Sequence, residues 1–198
     1  MSQYPDIFND NPGKTHLCTH TIELKPGTRP IRLMPYRVHP EKSVQIRKEL
    51  DLMIKMGVNE ESNSPWASPV VLIPKPDGSI RFCVDYRRLN DVTIADAYPL
   101  PRVEDLIDKV GKANYLTKID LSRGYWQLPM DDDSIPISAF VTPHGQFQWK
   151  YMPFGLRNAP GTFQRLVKQV LAGLEDFTGA YLDDIIIFSN TWEEHPAH

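Results

Sequence analysis

The chain has 198 residues, 41% hydrophobic and 24% charged, which is the composition of a folded domain with a core and excludes a disordered tail. Its net charge of −3 sets it apart from nucleic-acid binders that are basic throughout. No apolar run approaches the roughly 20 residues of a membrane span, and the opening "SQYPDIFNDNPGK" has no apolar signal core. Cys18 and Cys83 are far apart and form no C-x-x-C, so the expectation is a reduced, intracellular chain with no membrane partner.

Residues 1–30 read as a lead-in rich in turn chemistry, such as "NDNPGKTH" and "KPGTRP". The Gly13-Lys14-Thr15 triplet lacks the first glycine of a phosphate loop. His16 and His20 have no further ligand nearby and read as solvent-facing. A helix is expected from Pro40 to Met56, with Ile46, Leu50, Met53 and Ile54 on one face and Gly57 as its stop. "ASPVVLIP" and "SIRFCVDY" read as a β-hairpin with Asp77-Gly78 at its tip. A short helix bears Val103, Leu106, Ile107 and Val110, and the strand "NYLTKIDL" carries Asp120. "ISAFVTP" and "QFQWKYM" form a second hairpin signal. Phe163, Leu166, Val167, Val170 and Leu171 then recur at helical spacing up to Gly173. Two apolar half-strands flank Asp183-Asp184 at the end. Strands interleaved with helices at irregular spacing predict an α+β fold with helices on one face of the sheet.

The chemical question is why two adjacent aspartates stand in "GAYLDDIIIFSN". A buried, unpaired carboxylate costs several kcal/mol or takes up a proton. An isolated Asp-Asp pair is also ordinary turn chemistry. The alternative is a tight hairpin whose tip presents both aspartates to a divalent cation, with Asp120 as third ligand from a neighbouring strand. Two Mg²⁺ ions among such carboxylates are the machinery of in-line phosphoryl transfer.

"YLDD", "DLSRGYWQLPM", "AFVTPHGQFQW", "MPFGLRNAPGTFQ" and "SPWASPVVLIPKPDGSIRFCVDYRRLN", in this order and spacing, resemble the reverse transcriptases of gypsy-type long-terminal-repeat retrotransposons. The likeness runs from about Tyr4 to the end. It implies the fingers and palm of a right-hand polymerase, with fingers about 31–95 and 128–157 and palm about 96–127 and 158–198. The thumb, connection and ribonuclease H regions of such a polyprotein are not represented before His198. The resemblance implies catalytic and metal-binding roles for Asp120, Asp183 and Asp184, with two Mg²⁺ ions that Mn²⁺ can replace. Lys75 and Arg81 match residues that grip a deoxynucleoside triphosphate. Tyr125 matches the aromatic that excludes a ribose 2′-hydroxyl, although a core tyrosine has the same signature. Phe154 matches the gypsy-type residue of the nucleotide site, and Tyr181 a contact to primer or template. The implied partners are an RNA or DNA template with primer and deoxynucleotides, and the implied location is the cytoplasmic element particle with access to the nucleus. Asn59-Glu60-Glu61 and Ile137-Ser138 depart from the family's usual residues. Arg29, Arg32, Arg37, Lys42, Arg47 and Lys48 form a modest basic stretch, readable as phosphate contacts or as a solvated face. Three functions follow: an RNA-directed DNA polymerase core, a truncated inactive element remnant with weak nucleic-acid binding, or a metal-dependent nuclease or phosphatase. The last leaves Tyr125, Lys75 and Arg81 unexplained.

Overall fold

The computed structural model describes residues 12–76 and 80–198, so the expected tip Asp77-Gly78 and the first eleven lead-in residues lie outside the described residues. The chain divides into two compact units. One contains Asp96–Gly124 and Pro160–His198, the other Gly13–Ala95 and Tyr125–Ala159.

The second of these carries helix α1 (Pro40–Lys55), strands β1 (Asn59–Glu61), β2 (Ser68–Pro74) and β3 (Ile80–Val84), and helix α2 (Arg87–Val92). Strands β5 (Phe140–Thr142) and β6 (Gly145–Trp149) complete it. Their order is β1-β6-β5-β2-β3. All pairs are antiparallel except β2 with β5, which run parallel through Ser68↔Phe140 and Pro69↔Val141. The α1 helix starts on a proline, carries Glu41 in its first turn and Lys55 in its last, and stops at Gly57, whose φ is +68°. Ile46, Leu50 and Met53 are buried, whereas Ile54, expected on the same face, is 42% exposed and lies off the buried side.

Phe140 sits at the centre of an aromatic cluster, with ring centroids 5.8 Å from Phe82, 5.8 Å from Phe147 and 5.3 Å from Trp149. Such pairs add to the area they remove from water. The lead-in is tied to this unit by isolated bridges His20↔Met130 and Leu24↔Thr93, and just beyond it Arg32 bridges Ala67. His20 is therefore buried, at 1% exposure, and not solvent-facing; only His16 is exposed. The unusual Ser138 is fully buried. Its Oγ donates to the Ile135 carbonyl at 2.7 Å and accepts from Trp149 N–H, and its own carbonyl accepts from the Tyr86 hydroxyl at 2.6 Å.

The other unit holds helix α3 (Val103–Val110), strand β4 (Tyr115–Asp120), nearly all of helix α4 (Ala159–Val170), and strands β7 (Thr178–Tyr181) and β8 (Asp184–Ser189). The strands form a separate antiparallel sheet in the order β4-β8-β7. The helical pattern of α4 buries Phe163, Leu166 and Val167, while Val170 is 53% exposed where the helix ends. Lys109 of α3 donates to the Thr178 carbonyl of β7 at 3.0 Å. Among the described residues no helix is long and apolar enough to cross a membrane.

Candidate functional site

The central strand β8 positions the acidic cluster. Asp120 ends β4 and Asp184 begins β8, and the register makes them direct cross-strand partners. Asp184 also pairs with Tyr181, the last residue of β7. The turn between β7 and β8 is therefore Leu182-Asp183. The sequence reading put both aspartates at the tip; only Asp183 is there, because a two-residue loop closes the hairpin and leaves Asp184 in the ladder. Leu182 makes this closure with φ of +52°, the left-handed region that normally calls for glycine. The Asp183 carbonyl accepts from Leu121 N–H at 3.2 Å, which ties the turn to the end of β4.

Burial raises the pKa of the Asp183 carboxyl, and the negative charges of Asp120 and then Asp184 push it further up. One of its oxygens, Oδ1, is buried without a hydrogen-bond partner. An orphaned carboxylate oxygen beside two further carboxylates calls for a cation. The three oxygen-donor side chains suit a hard divalent ion such as Mg²⁺ or Mn²⁺. Among the described residues, however, no three His, Cys, Asp or Glu side chains stand already closed at metal-binding geometry. Asp184 is engaged elsewhere: its Oδ2 lies 3.0 Å from Lys118 Nζ.

Lys118 was not singled out by the sequence, although its place two residues before Asp120 on a strand puts both on one face. Gly124 was missed as well. A Cβ there would stand 2.9 Å from the Phe163 ring and 3.3 Å from Asp183 Oδ1. The signal for it was the glycine of "DLSRGYWQ". Tyr181 is half-buried and, with Leu106, Ile107, Leu116, Asp184 and Ile186, lines an apolar cavity of about 510 Å³.

The remaining sequence candidates lie in the other unit. Tyr125 is buried, at 6% exposure, in a short 3₁₀ turn, and Phe154 stacks on it with centroids 4.6 Å apart and rings inclined by 17°. The outer ring of the pair, Phe154, is half exposed. Lys75 follows β2 and Arg81 lies on β3 opposite Ile73, both with exposed side chains. In the basic stretch, Arg47 pairs with Asp51 at 3.0 Å along the face of α1.

Residues 73–198 match the family described as reverse transcriptase (RNA-dependent DNA polymerase). The chain belongs to the reverse transcriptase family. The Retrovirus-related Pol polyprotein from transposon 297 of Drosophila melanogaster is 42% identical to it over 84% of the chain and 16% of the polyprotein. Polyprotein P3 of Commelina yellow mottle virus is 32% identical over 98% of the chain and 11% of that protein. The chain thus spans less than a fifth of either relative. Its α+β fold is that of the foamy viral protease-reverse transcriptase solved in complex with an RNA/DNA hybrid. The two superpose with a TM-score of 0.88 at 26% identity, over 99% of this reverse transcriptase chain and 27% of the foamy viral one.

Proposed function

We propose that this chain is the fingers and palm of an RNA-directed DNA polymerase from a gypsy-type retrotransposon polyprotein. The unit with the three-stranded sheet is read as palm and the unit with the five-stranded sheet as fingers. The greater similarity to the transposon polyprotein than to the plant-virus protein favours the retrotransposon lineage.

The observation that carries the reading is Asp183 Oδ1, buried and unpartnered beside the Asp120–Asp184 pair. Asp120, Asp183 and Asp184 are assigned as ligands of divalent metal. Two Mg²⁺ ions, when bound, supply Lewis-acid activation of an attacking hydroxyl and neutralise charge at a leaving pyrophosphate. The reaction forms a bond between the primer 3′-oxygen and the α-phosphorus of a deoxynucleoside triphosphate. The bond from that phosphorus to pyrophosphate breaks, and the hydroxyl proton passes to solvent. The ladder holds the backbones of Asp120 and Asp184 at fixed cross-strand register, which limits how far their carboxylates must move to meet a cation. Lys75 and Arg81 are assigned to the triphosphate, where a guanidinium fork and a mobile ammonium both suit phosphate oxygens. Tyr125, with the more exposed Phe154 stacked on its ring, is assigned with Phe154 to the nucleotide site and to exclusion of a ribose 2′-hydroxyl, and Tyr181 to stacking on primer or template. Extension of an oligo(dT) primer on poly(rA) with thymidine triphosphate and Mg²⁺ tests the proposal. Extension by the wild-type chain that is lost in Asp184→Asn supports it. Wild-type activity retained in Asp184→Asn would refute it.

A further inference from the structure

The cation nearest the acidic cluster is part of the chain. Lys118 pairs in register with Ile186, and Asp120 with Asp184, so Lys118, Asp120 and Asp184 share one face of the β4–β8 ladder. Lys118 reaches diagonally to Asp184, its Nζ 3.0 Å from Oδ2, and its charge also bears on Asp120. The lysine side chain is 62% exposed and that of Asp184 42%. An ammonium on a flexible four-carbon stem can therefore swing into solvent without disturbing the core. Asp183, by contrast, is left with its oxygen unpartnered.

We infer that Lys118 is a positioning residue that acts as an internal counter-ion: it holds Asp184 while the site is empty of metal and must release it before the carboxylates close on a divalent cation. The inference rests on the metal reading of the three aspartates. It accounts for the ion pair between Lys118 and Asp184 on the same face of the ladder as Asp120. Its consequence is that metal alone binds weakly, because each binding event also breaks an ion pair and brings a dication towards an ammonium. Exposed ion pairs are weak, so the competition is modest, roughly two- to fivefold in affinity.

Calorimetric titration of Mn²⁺ into the 198-residue chain without nucleotide tests it. Lys118→Met is expected to tighten Mn²⁺ binding roughly two- to fivefold, and Lys118→Gln to do the same. Lys118→Arg, which keeps the charge, should return the affinity towards wild type. A purely structural lysine would not produce that split. Asp184→Asn should weaken binding and erase the gain from Lys118→Met. Thermal unfolding of each variant shows whether the fold is kept. Unchanged or weaker Mn²⁺ binding by both Lys118→Met and Lys118→Gln, with Asp184→Asn still weakening it, overturns the inference and leaves the metal reading standing. Indifference of Mn²⁺ affinity to Asp184→Asn overturns the metal reading and the inference together.

Discussion

Gly124 shows how tightly the acidic site is built at the scale of a residue. Its missing side chain lets the backbone lie against the Phe163 ring, itself 1% exposed, and against Asp183 Oδ1. A methyl there meets ring carbon at 2.9 Å, and a fully buried ring has nowhere to retreat. Gly124→Ala is expected to cost about 1–3 kcal/mol in urea unfolding, the usual penalty of overpacking. Because the same methyl crowds Asp183, metal affinity should fall with stability; unchanged unfolding would show that the contact relaxes freely. Tyr125 makes the complementary case. Its ring is sealed beneath Phe154, so sequence alone could not separate a core tyrosine from a sugar-contacting one. In a chain that extends primers, Tyr125→Val should raise ribonucleotide use relative to deoxynucleotide use, read by comparing UTP with dTTP. Loss of extension with both in equal proportion, with no change in that ratio, would mark the ring as packing alone.

At the scale of elements, the end of β3 is fastened to α2 by one carboxylate. Asp85 accepts from Arg87 Nε at 2.8 Å, Arg87 Nη2 at 2.6 Å, Arg87 N–H at 3.2 Å and the Tyr36 hydroxyl at 3.0 Å. The hydrogen bonds from Arg87, above all, hold its carboxyl well below the usual carboxylate range. A depressed carboxylate stabilises the fold above its unfolded value of about 4, and that contribution is lost as pH falls towards the folded value. Asp85→Asn should therefore lower the urea midpoint at pH 7, and its gap from wild type should begin to narrow only below about pH 4 and still be largely present at pH 3. A gap that stays constant with pH would contradict the assignment. Asp183 has the opposite sign, since its raised value means that its charge opposes folding near neutrality while no cation is bound. Most elements were legible because their signals are local: periodicity in α1 and α4, turn residues between β5 and β6. The two-residue turn at Leu182-Asp183 was not, because a leucine with positive φ carries no sequence signature. The three-residue strand β1 was hidden too, since Asn59-Glu60-Glu61 has no apolar alternation and is a strand only by pairing with β6.

At the scale of the whole molecule, strand order was invisible to periodicity and turn chemistry, because long-range pairing such as β2 with β5 leaves no local trace. The acidic triad was legible from charge in an apolar context. Lys118 was not, because a lone lysine on a strand reads as a solvated face until the register shows its neighbour. With a net charge of −3 the chain has no general basic field, so the nucleic-acid binding that the proposed function requires would rest on local contacts and be sensitive to salt. The proposed function depends on the acidic cluster holding metal, and Asp183 is the member whose Oδ1 is buried without a hydrogen-bond partner. The most direct measurement is Mn²⁺ binding followed by electron paramagnetic resonance, comparing wild type with Asp183→Asn at equal protein concentration. Saturable binding by the wild-type chain that falls at least about tenfold in affinity in Asp183→Asn is the predicted result, the effect of losing a charged ligand. Equal binding by the two proteins would contradict the metal site and the polymerase reading built on it.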